Sequence, residues 1–458
     1  MSRRPSTVSD RDRELSDLFP THLESVSENW TAALAATGYD AVLVAAGEPR
    51  NNFLDDQAPP QKLNPHFLQW CPSETASGSM LLLRPGQTPR FFFLSPEDYW
   101  HQPPALPPWA AAFEVERHAD RDSLLAAAAG ALPSGANRVA FIGEAGADEI
   151  PELGGENVNP EGLLAHLHFD RARKTPFEVA AMRAATARAV CGHLAAREAF
   201  DAGASEFEIN LAYLGASEQL PADLPYQNIV ALNEHAGVLH YQYYDRSPPA
   251  ERRSFLIDAG GSHLGYAADI TRTYAAQGGV FADLISALDE AQRSLIDTIT
   301  IGTSFLDLHV AMHQSLAGLL TESGLLTCSA DEAFEAGLTE VFLPHGLGHL
   351  IGLQTHDVGG QQADHDGTLV PPPENYPALR TTRSLSADMP VTIEPGLYFI
   401  PQLLDAARNG PARDSYNWPA IDALVPAGGI RIEDNVLLTK TGGIENLTRD
   451  AFAALDNA

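Results

Sequence analysis

The sequence has little cysteine and no long apolar run. Its three cysteines, Cys71, Cys191 and Cys328, lie far apart without a Cys-x-x-Cys pair, which excludes a disulfide framework and a thiolate metal site. No run approaches the roughly 18 apolar residues that a membrane-spanning helix needs. The polar first residues contain no apolar segment of signal-peptide length. We therefore expect a cytoplasmic protein without a membrane partner.

Basic residues are also scarce. Lys and Arg number 29 against 60 Asp and Glu, so the formal net charge is −31. A field of this sign repels phosphate backbones, and we expect no nucleic-acid partner. It suits a protein that binds cations, although part of such charge can also be an ordinary solvated surface.

Two domains are expected from a chain of 458 residues. Between residues 30 and 165, apolar runs such as YDAVLVAAG and PRFFFLS alternate with helical stretches, which predicts a small N-terminal α/β domain. A helix start follows, with Thr175 as N-cap, Pro176 at the first helical position and Glu178 completing a capping box. We therefore place the domains at 1–170 and 171–458. The second domain carries longer strands and two further predicted helices, at 281–299 and 305–320.

The segment RSFLIDAGGSHLGYAADITRTY contains two strand-like runs around a short polar turn. A hairpin centred between His263 and Leu264 places Asp258 directly opposite Asp269, with Cβ atoms about 5 Å apart. Both carboxylates are flanked by apolar residues, and unpaired buried anions are costly. A cation between them resolves the conflict.

Two more carboxylates lie in the same kind of setting. Glu394 follows an apolar strand in VTIEPGLYF, and Glu433 alternates with Ile430 and Ile432 in GGIRIED. Any one of these acids could be a strand-end residue in a surface salt bridge. Four of them with a histidine cluster predict a metal site, and their charges would neutralise two divalent ions roughly 3.5–4 Å apart. Oxygen ligands with one imidazole favour Mn²⁺, with Co²⁺, Fe²⁺ or Zn²⁺ as alternatives.

Three histidines lie within PHGLGHLIGLQTHDVGG, residues 344–360. His345 and His349 have the spacing of a helical zinc pair, but the glutamate of HExxH is missing and two glycines disfavour a helix. We expect a loop that presents one histidine to metal and leaves the others for the substrate. His240, in VLHYQYYD, is by itself an ordinary polar residue.

In chain order, Asp258, Asp269, His349, Glu394 and Glu433 match the Asp-Asp-His-Glu-Glu set of the pita-bread metallopeptidases. LNPHFLQW, ALNEHAGVLHYQYYD and LRTTRSLSADMPVTIEPGLYFI resemble the bacterial Xaa-Pro dipeptidase (prolidase) and organophosphorus acid anhydrolase branch of that family. The resemblance covers nearly the whole chain except its two ends. It implies a C-terminal pita-bread domain, a curved and mainly antiparallel sheet flanked by helices, behind the small N-terminal α/β domain.

The resemblance also assigns the metal ligands of two divalent ions. Asp258 would bind one ion, and His349 with Glu394 the other, while Asp269 and Glu433 bridge the pair. Glu394 would in addition act as general base, taking a proton from a metal-bridging water to leave the attacking hydroxide.

Further residues match positions on the substrate side of the family's site. They are His345, His356, Arg431, Tyr226, His240, Arg383, Asp56 and Trp100. His345 would contact the substrate or its tetrahedral intermediate, His356 would lie beside the peptide carbonyl, and Arg431 would orient the acids. Arg383 is the candidate partner of the proline carboxylate. Asp56 and Trp100 match positions that the family donates across a homodimer interface, and Phe305 replaces a pocket tyrosine of the anhydrolase.

The implied function is hydrolysis of dipeptides with C-terminal proline, whose tertiary amide has no N–H for ordinary peptidases to bind. A side activity on organophosphate triesters follows from the same chemistry. Three alternatives remain open: an aminopeptidase P that acts on longer Xaa-Pro peptides, a non-catalytic binding module on the same scaffold, and a creatinase-like hydrolase that works without metal.

Overall fold

The computed structural model describes residues 8–133, 138–144, 150 and 155–456. Within these ranges the chain forms twelve α-helices and fifteen β-strands. The helices are α1 (Val8–Thr37), α2 (Pro65–Trp70), α3 (Arg121–Gly130), α4 (Glu161–Arg171), α5 (Pro176–Asp201), α6 (Glu206–Ser217), α7 (Val280–Ile296), α8 (Phe305–Glu322), α9 (Ala330–Glu335), α10 (Pro401–Arg408), α11 (Trp418–Leu424) and α12 (Leu447–Asp456). The strands are β1 (Ala41–Ala45), β2 (Met80–Leu83), β3 (Arg90–Leu94), β4 (Glu114–His118), β5 (Val139–Ile142), β6 (Ile229–Leu232), β7 (Ser254–Asp258), β8 (Ser262–His263), β9 (Tyr266–Ala267), β10 (Thr271–Ala275), β11 (Met389–Ile393), β12 (Gly396–Tyr398), β13 (Gly429–Arg431), β14 (Asp434–Leu438) and β15 (Ile444–Asn446).

The N-terminal half is built on a mixed five-stranded sheet in the order β4-β3-β2-β1-β5. β2 is antiparallel to β1 and β3, whereas β5 runs parallel to β1 and β4 runs parallel to β3. The apolar runs YDAVLVAAG, SMLLLRPG, PRFFFLS and RVAFIGE, all expected to be strands, form β1, β2, β3 and β5. Strand β4, with the sequence EVERH, was missed because an edge strand can carry charged side chains and lacks the apolar signal.

The C-terminal half contains antiparallel strand pairs throughout its described residues. A sheet of order β10-β7-β6 meets a sheet of order β11-β14-β15 through a bridge between Thr271 and Glu433. Helix α5 begins with the predicted capping box, in which Thr175 and Glu178 bond each other's backbone N–H groups. The two further helices predicted from the sequence are present as α7 and α8.

The hairpin that carries Asp258 and Asp269 has a different register from the predicted one. Asp258 lies opposite Thr271, and the turn consists of Leu264 and Gly265, with φ angles of 54° and 86°. Positive φ at both central residues is the geometry of a type I′ hairpin turn. The predicted direct pairing of the two aspartates was therefore wrong by two residues, because leucine rarely adopts positive φ and gave no turn signal. Because the register is shifted by an even number of residues, each side chain stays on the face of the sheet that the predicted register gave it.

An apolar core extends from the N-terminal sheet into the C-terminal half. Phe67 and Phe91 belong to the same buried cluster as Phe177 and Met182 of α5 and Tyr266 of β9. A second cluster fills the space between helices α7 and α8 and strands β11 to β14. The predicted boundary near residue 170 thus lies next to an apolar core that residues of both halves share. Among the described residues no helix is long and apolar enough to cross a membrane.

Candidate metal centre and substrate site

The ends of several strands bring the predicted ligands together. Asp258 ends β7, Glu394 directly follows β11, and Glu433 lies between β13 and β14. Asp269, His349 and Glu433 are buried, and each offers one ligand atom within 4.8 Å of the others. Residues 164 positions apart in the sequence thus form one cluster of metal-ligating atoms.

His349 is held with one ring nitrogen free for a ligand. Its Nδ1 donates to the carbonyl oxygen of Leu350 at 3.0 Å, which leaves Nε2 as the ring nitrogen that faces the carboxylates. Nε2 lies 3.5 Å from Asp269 and 3.6 Å from Glu394. The loop reaches β11 through Gly348, where a Cβ would lie 2.0 Å from the carbonyl oxygen of Thr392. As predicted, the glycines allow a close backbone approach instead of a helix.

The carboxylate of Asp258 is bonded on both oxygens. Tyr226 donates its hydroxyl to Oδ1 at 2.7 Å, and Arg431 donates Nη2 to Oδ2 at 2.6 Å. The hydroxyl of Tyr226 also contacts Asp269. Tyr226 thus joins the two aspartates, and its assignment to the substrate pocket stays a prediction.

Negative charge at this cluster exceeds the positive charge around it. Burial raises the pKa of Glu394 to about 7 and, together with the charges of Asp269 and Glu394, raises the pKa of Glu433 well above its usual range. Burial also raises the pKa of Asp258, although Arg431 opposes that shift. Three carboxylates whose charged forms are disfavoured, beside the imidazole of His349, fit a divalent cation, which would stabilise those charged forms.

Arg431 also organises the histidine that precedes the ligand loop. Its Nη1 donates to the hydroxyl oxygen of Tyr398 at 2.7 Å, and that hydroxyl in turn donates to Nε2 of His345 at 2.9 Å. His345 carries its proton on Nδ1, which donates to the carbonyl oxygen of Gly346 at 2.8 Å. Nδ1 lies 3.9 Å from Glu394. Arg431 thus connects Asp258 to His345 through a single phenol.

The remaining substrate-side residues reach the cluster to different degrees. The ring of His356 lies edge-on to that of His349, with centroids 4.5 Å apart. Burial lowers the pKa of both His345 and His356 to about 4, and the charge of the exposed His240 contributes to both shifts. Arg383 approaches from the loop after His356, donating Nη1 to the carbonyl oxygen of Gly359 at 3.2 Å.

Asp56 and Trp100 lie on exposed loops of the N-terminal half. Their hydrogen bonds are to residues close in the sequence, Asp56 with Gln57 and Trp100 with Asp98. Their predicted contribution across a homodimer interface stays a prediction. Phe305 is fully buried in the core around α8, so it packs as an apolar core residue.

A second group of candidate ligands consists of Glu206, His235 and Asp245. The carboxylate of Glu206 is buried, but its oxygens already accept from the backbone of Leu232 and Asp245, from Tyr241 and from His235. Hydrogen-bond donors satisfy this anion without a cation. We therefore expect it to organise the segment 232–245, on which His240 lies.

Sequence reasoning missed the polar residues that support the cluster from behind. Gln292 of α7 is fully buried, and its Nε2 donates to the carbonyl oxygens of Ile393 at 2.7 Å and Ile432 at 3.3 Å. These carbonyls directly precede Glu394 and Glu433. The available signal was a glutamine on the helix face otherwise occupied by buried Leu284, Leu288 and Leu295.

Replacing Gln292 with Met is expected to weaken divalent-metal binding about tenfold, because residues that hold ligands in place commonly contribute 10- to 100-fold. Methionine has a volume similar to that of glutamine but cannot donate the two hydrogen bonds that join the strands. Calorimetric titration with Mn²⁺ measures the effect. The matched control is Gln69→Met, at a buried glutamine of α2 that accepts from Trp30, and it should leave the metal affinity unchanged.

Buried carboxylates and one imidazole at converging strand ends are the ligand set of a metal-dependent hydrolase. Residues 180–440 match the profile of Metallopeptidase family M24, and residues 17–169 match that of the Xaa-Pro dipeptidase N-terminal domain. The chain belongs to metallopeptidase family M24, as the ligand motif predicted. Membership of this family implies binding of divalent metal.

Curated relatives cover almost the whole chain. An Xaa-Pro dipeptidase of Pectobacterium atrosepticum is 46% identical over 445 residues, covering 95% of this chain and 99% of the relative. An Xaa-Pro dipeptidase of Yersinia pseudotuberculosis is 47% identical over 442 residues, covering 95% and 98%.

Solved structures confirm the fold. Aminopeptidase P of Escherichia coli with the inhibitor Pro-Leu superposes with a TM-score of 0.72 at 21% identity, covering 96% of this chain and 99% of the other. Aminopeptidase PepP of Pseudomonas aeruginosa gives a TM-score of 0.68 at 21% identity, covering 95% and 99%. The predicted two-part architecture with a C-terminal pita-bread domain is therefore correct.

Proposed function

We propose that the chain is a metal-dependent Xaa-Pro dipeptidase that hydrolyses dipeptides with proline in second position. The observation that carries the proposal is the buried group Asp269, His349 and Glu433, with ligand atoms within 4.8 Å of one another. The names of the relatives, which align over 95% of the chain, support the choice of substrate.

The metal ligands in this proposal are Asp258, Asp269, His349, Glu394 and Glu433. They would hold two divalent ions, with Mn²⁺ favoured by the predominance of carboxylate oxygen. The ions would supply Lewis acidity and activate a water molecule as the nucleophile.

The chain's own residues would bind the peptide and move its protons. Glu394, close to both His345 and His349, accepts the proton of the nucleophile. His356 would donate a hydrogen bond to the developing oxyanion, and His345 would contact the substrate or its tetrahedral intermediate. Arg431 holds Asp258 and, through Tyr398, His345, in position. Arg383 would bind the proline carboxylate with two parallel hydrogen bonds.

Hydrolysis of Ala-Pro with and without chelator, followed by addition of Mn²⁺, tests this proposal. We expect chelation to abolish cleavage and Mn²⁺ to restore it, because Arg431 brings one positive charge to a cluster of four carboxylates. Cleavage that survives complete removal of metal would contradict the metal-dependent mechanism. Absence of cleavage under all conditions would favour a non-catalytic module. Faster cleavage of Ala-Pro-Ala than of Ala-Pro would favour an aminopeptidase P.

We further propose a homodimer and the domain division at residue 170. The exposure of Phe53, Tyr99 and Trp100 on loops of the N-terminal half supports an interface there, since large exposed aromatic residues commonly mark protein contacts. Sedimentation equilibrium tests the dimer.

A further inference from the structure

Asp357, which directly follows His356, is a buried carboxylate held by two cations. Oδ1 accepts from Nη2 of Arg171 at 2.6 Å, and Oδ2 accepts from Nζ of Lys174 at 2.9 Å. Both cationic side chains are only 1% exposed. Burial alone would raise the pKa of Asp357, but the charges of Arg171 and Lys174 lower it far below its usual range. The carboxylate is thus ionised at neutral pH and bonded in a fixed position.

The two cations belong to the segment 168–174, which comprises the last turn of α4 and the residues that lead towards α5, and which we call the junction segment. Its backbone packs directly on the loop after His356. A Cβ at Gly359, where φ is +85°, would lie 2.6 Å from the carbonyl oxygen of His168, and one at Gly352 would lie 2.5 Å from Cε of Lys174. The loop 352–360 therefore takes its position from the junction segment.

Arg383 is held by the same two elements. Its Nη1 donates to the carbonyl oxygen of Gly359, and its guanidinium carbon lies 4.1 Å from the ring centroid of Phe169 in the junction segment. Phe169 is half-buried, so its ring offers a face on which the guanidinium plane lies. The position of Arg383 thus depends on the junction segment directly, through Phe169, and indirectly, through Gly359.

We propose that Phe169 and Asp357 are positioning residues for recognition of the substrate's C-terminal carboxylate. Phe169 fixes the plane of the Arg383 guanidinium, and Asp357 fixes the loop to which that guanidinium is bonded. A guanidinium binds a carboxylate through two parallel hydrogen bonds only when its plane is correctly oriented. The inference rests on the proposed function, in which Arg383 binds the proline carboxylate. On this inference, the junction segment at the end of the N-terminal half helps to select substrates in which the carboxylate of proline is free.

The test compares Ala-Pro with its carboxyl-blocked amide, Ala-prolinamide, in wild type and in Phe169→Leu. Leucine keeps an apolar side chain but has no ring face. We expect KM for Ala-Pro to rise roughly 5- to 10-fold while kcat changes less than about 2-fold, and the preference for Ala-Pro over the amide to fall by a similar factor. A purely structural role of Phe169 would affect both substrates alike.

Trp418→Leu is the matched control. Trp418 is half-buried, and its ring centroid lies 4.2 Å from the guanidinium carbon of Arg408, the same kind of contact on helices α11 and α10. This variant should keep both KM and the preference for the free carboxylate. If wild type cleaves Ala-Pro and Phe169→Leu has the same KM and the same preference as wild type, the inference is overturned and the proposed function stands. Wild type that cleaves neither substrate overturns the proposed function and the inference with it.

Asp357 is tested by Lys174→Met, which removes one of its two cations and leaves the pair with Arg171. We expect the preference for Ala-Pro over the amide to fall at least about 3-fold, because the loop that carries Gly359 is less firmly held. An unchanged preference in this variant overturns the part assigned to Asp357.

Discussion

Asp269→Asn is expected to abolish Ala-Pro hydrolysis and to lower the metal content of the purified protein. Asp269 is buried within the cluster, and its carboxylate lies 3.5 Å from His349 and also contacts Tyr226. Asparagine keeps the shape but removes the charge and one anionic oxygen. If bound metal supplies about 4 kcal/mol of transition-state stabilisation, its loss lowers kcat about 1,000-fold.

The metal content of Asp269→Asn is measured by atomic emission after dialysis against Mn²⁺, beside its activity. Asp245→Asn is the matched control, since Asp245 belongs to the second candidate group. In that group the buried carboxylate of Glu206 already accepts hydrogen bonds from the protein. The control should retain the wild-type metal content. A variant Asp269→Asn with wild-type metal content and activity would show that the cluster is not the metal centre.

Asp357→Asn is expected to lower the free energy of unfolding by about 3–5 kcal/mol, because it leaves the cations Arg171 and Lys174 buried without an anion. The bonds at 2.6 Å and 2.9 Å join side chains that are almost fully buried, so water cannot replace the lost charge. Urea unfolding of the two proteins at pH 7 measures the difference. The matched control is Asp422→Asn, whose exposed ion pair with Arg408 should contribute at most about 1 kcal/mol.

The contribution of Asp357 to the free energy of unfolding also depends on pH in a defined way. Its pKa is lowered in the folded state, so its stabilisation is fully present above the unfolded-state pKa of about 3.9 and is lost as the pH falls toward the folded-state value. The difference between wild type and Asp357→Asn should therefore be constant from about pH 5 to pH 8 and shrink below about pH 4. A difference that instead grows in acid would contradict the assignment.

Local signals in the sequence were sufficient for much of the fold. The capping box at Thr175 and Glu178 located the start of α5, and the apolar runs located four strands of the N-terminal sheet. The signals failed where they were absent or atypical. Strand β4 is charged at a sheet edge, and the hairpin turn at Leu264 uses a leucine with positive φ.

The candidate site shows the same division. The four acidic ligands could be named because each follows or interrupts an apolar strand, and His349 because its place in the chain order matches the ligand set of the family. Gln292 and Tyr398 could not, since each acts through partners far away in the sequence, such as Ile432 and Arg431.

The sequence by itself determined which residue types are available for metal, the family to which they belong and the helices and strands that carry most of them. Periodicity and capping depend on neighbours within a few residues, so the linear order contains them. Only the tertiary structure decided that Nε2 of His349 faces Asp269 and Glu394, that Arg431 reaches Tyr398, and that the junction segment holds Asp357 and Arg383. These contacts join residues up to 214 positions apart through hydrogen bonds, ion pairs and close packing, which no local pattern specifies.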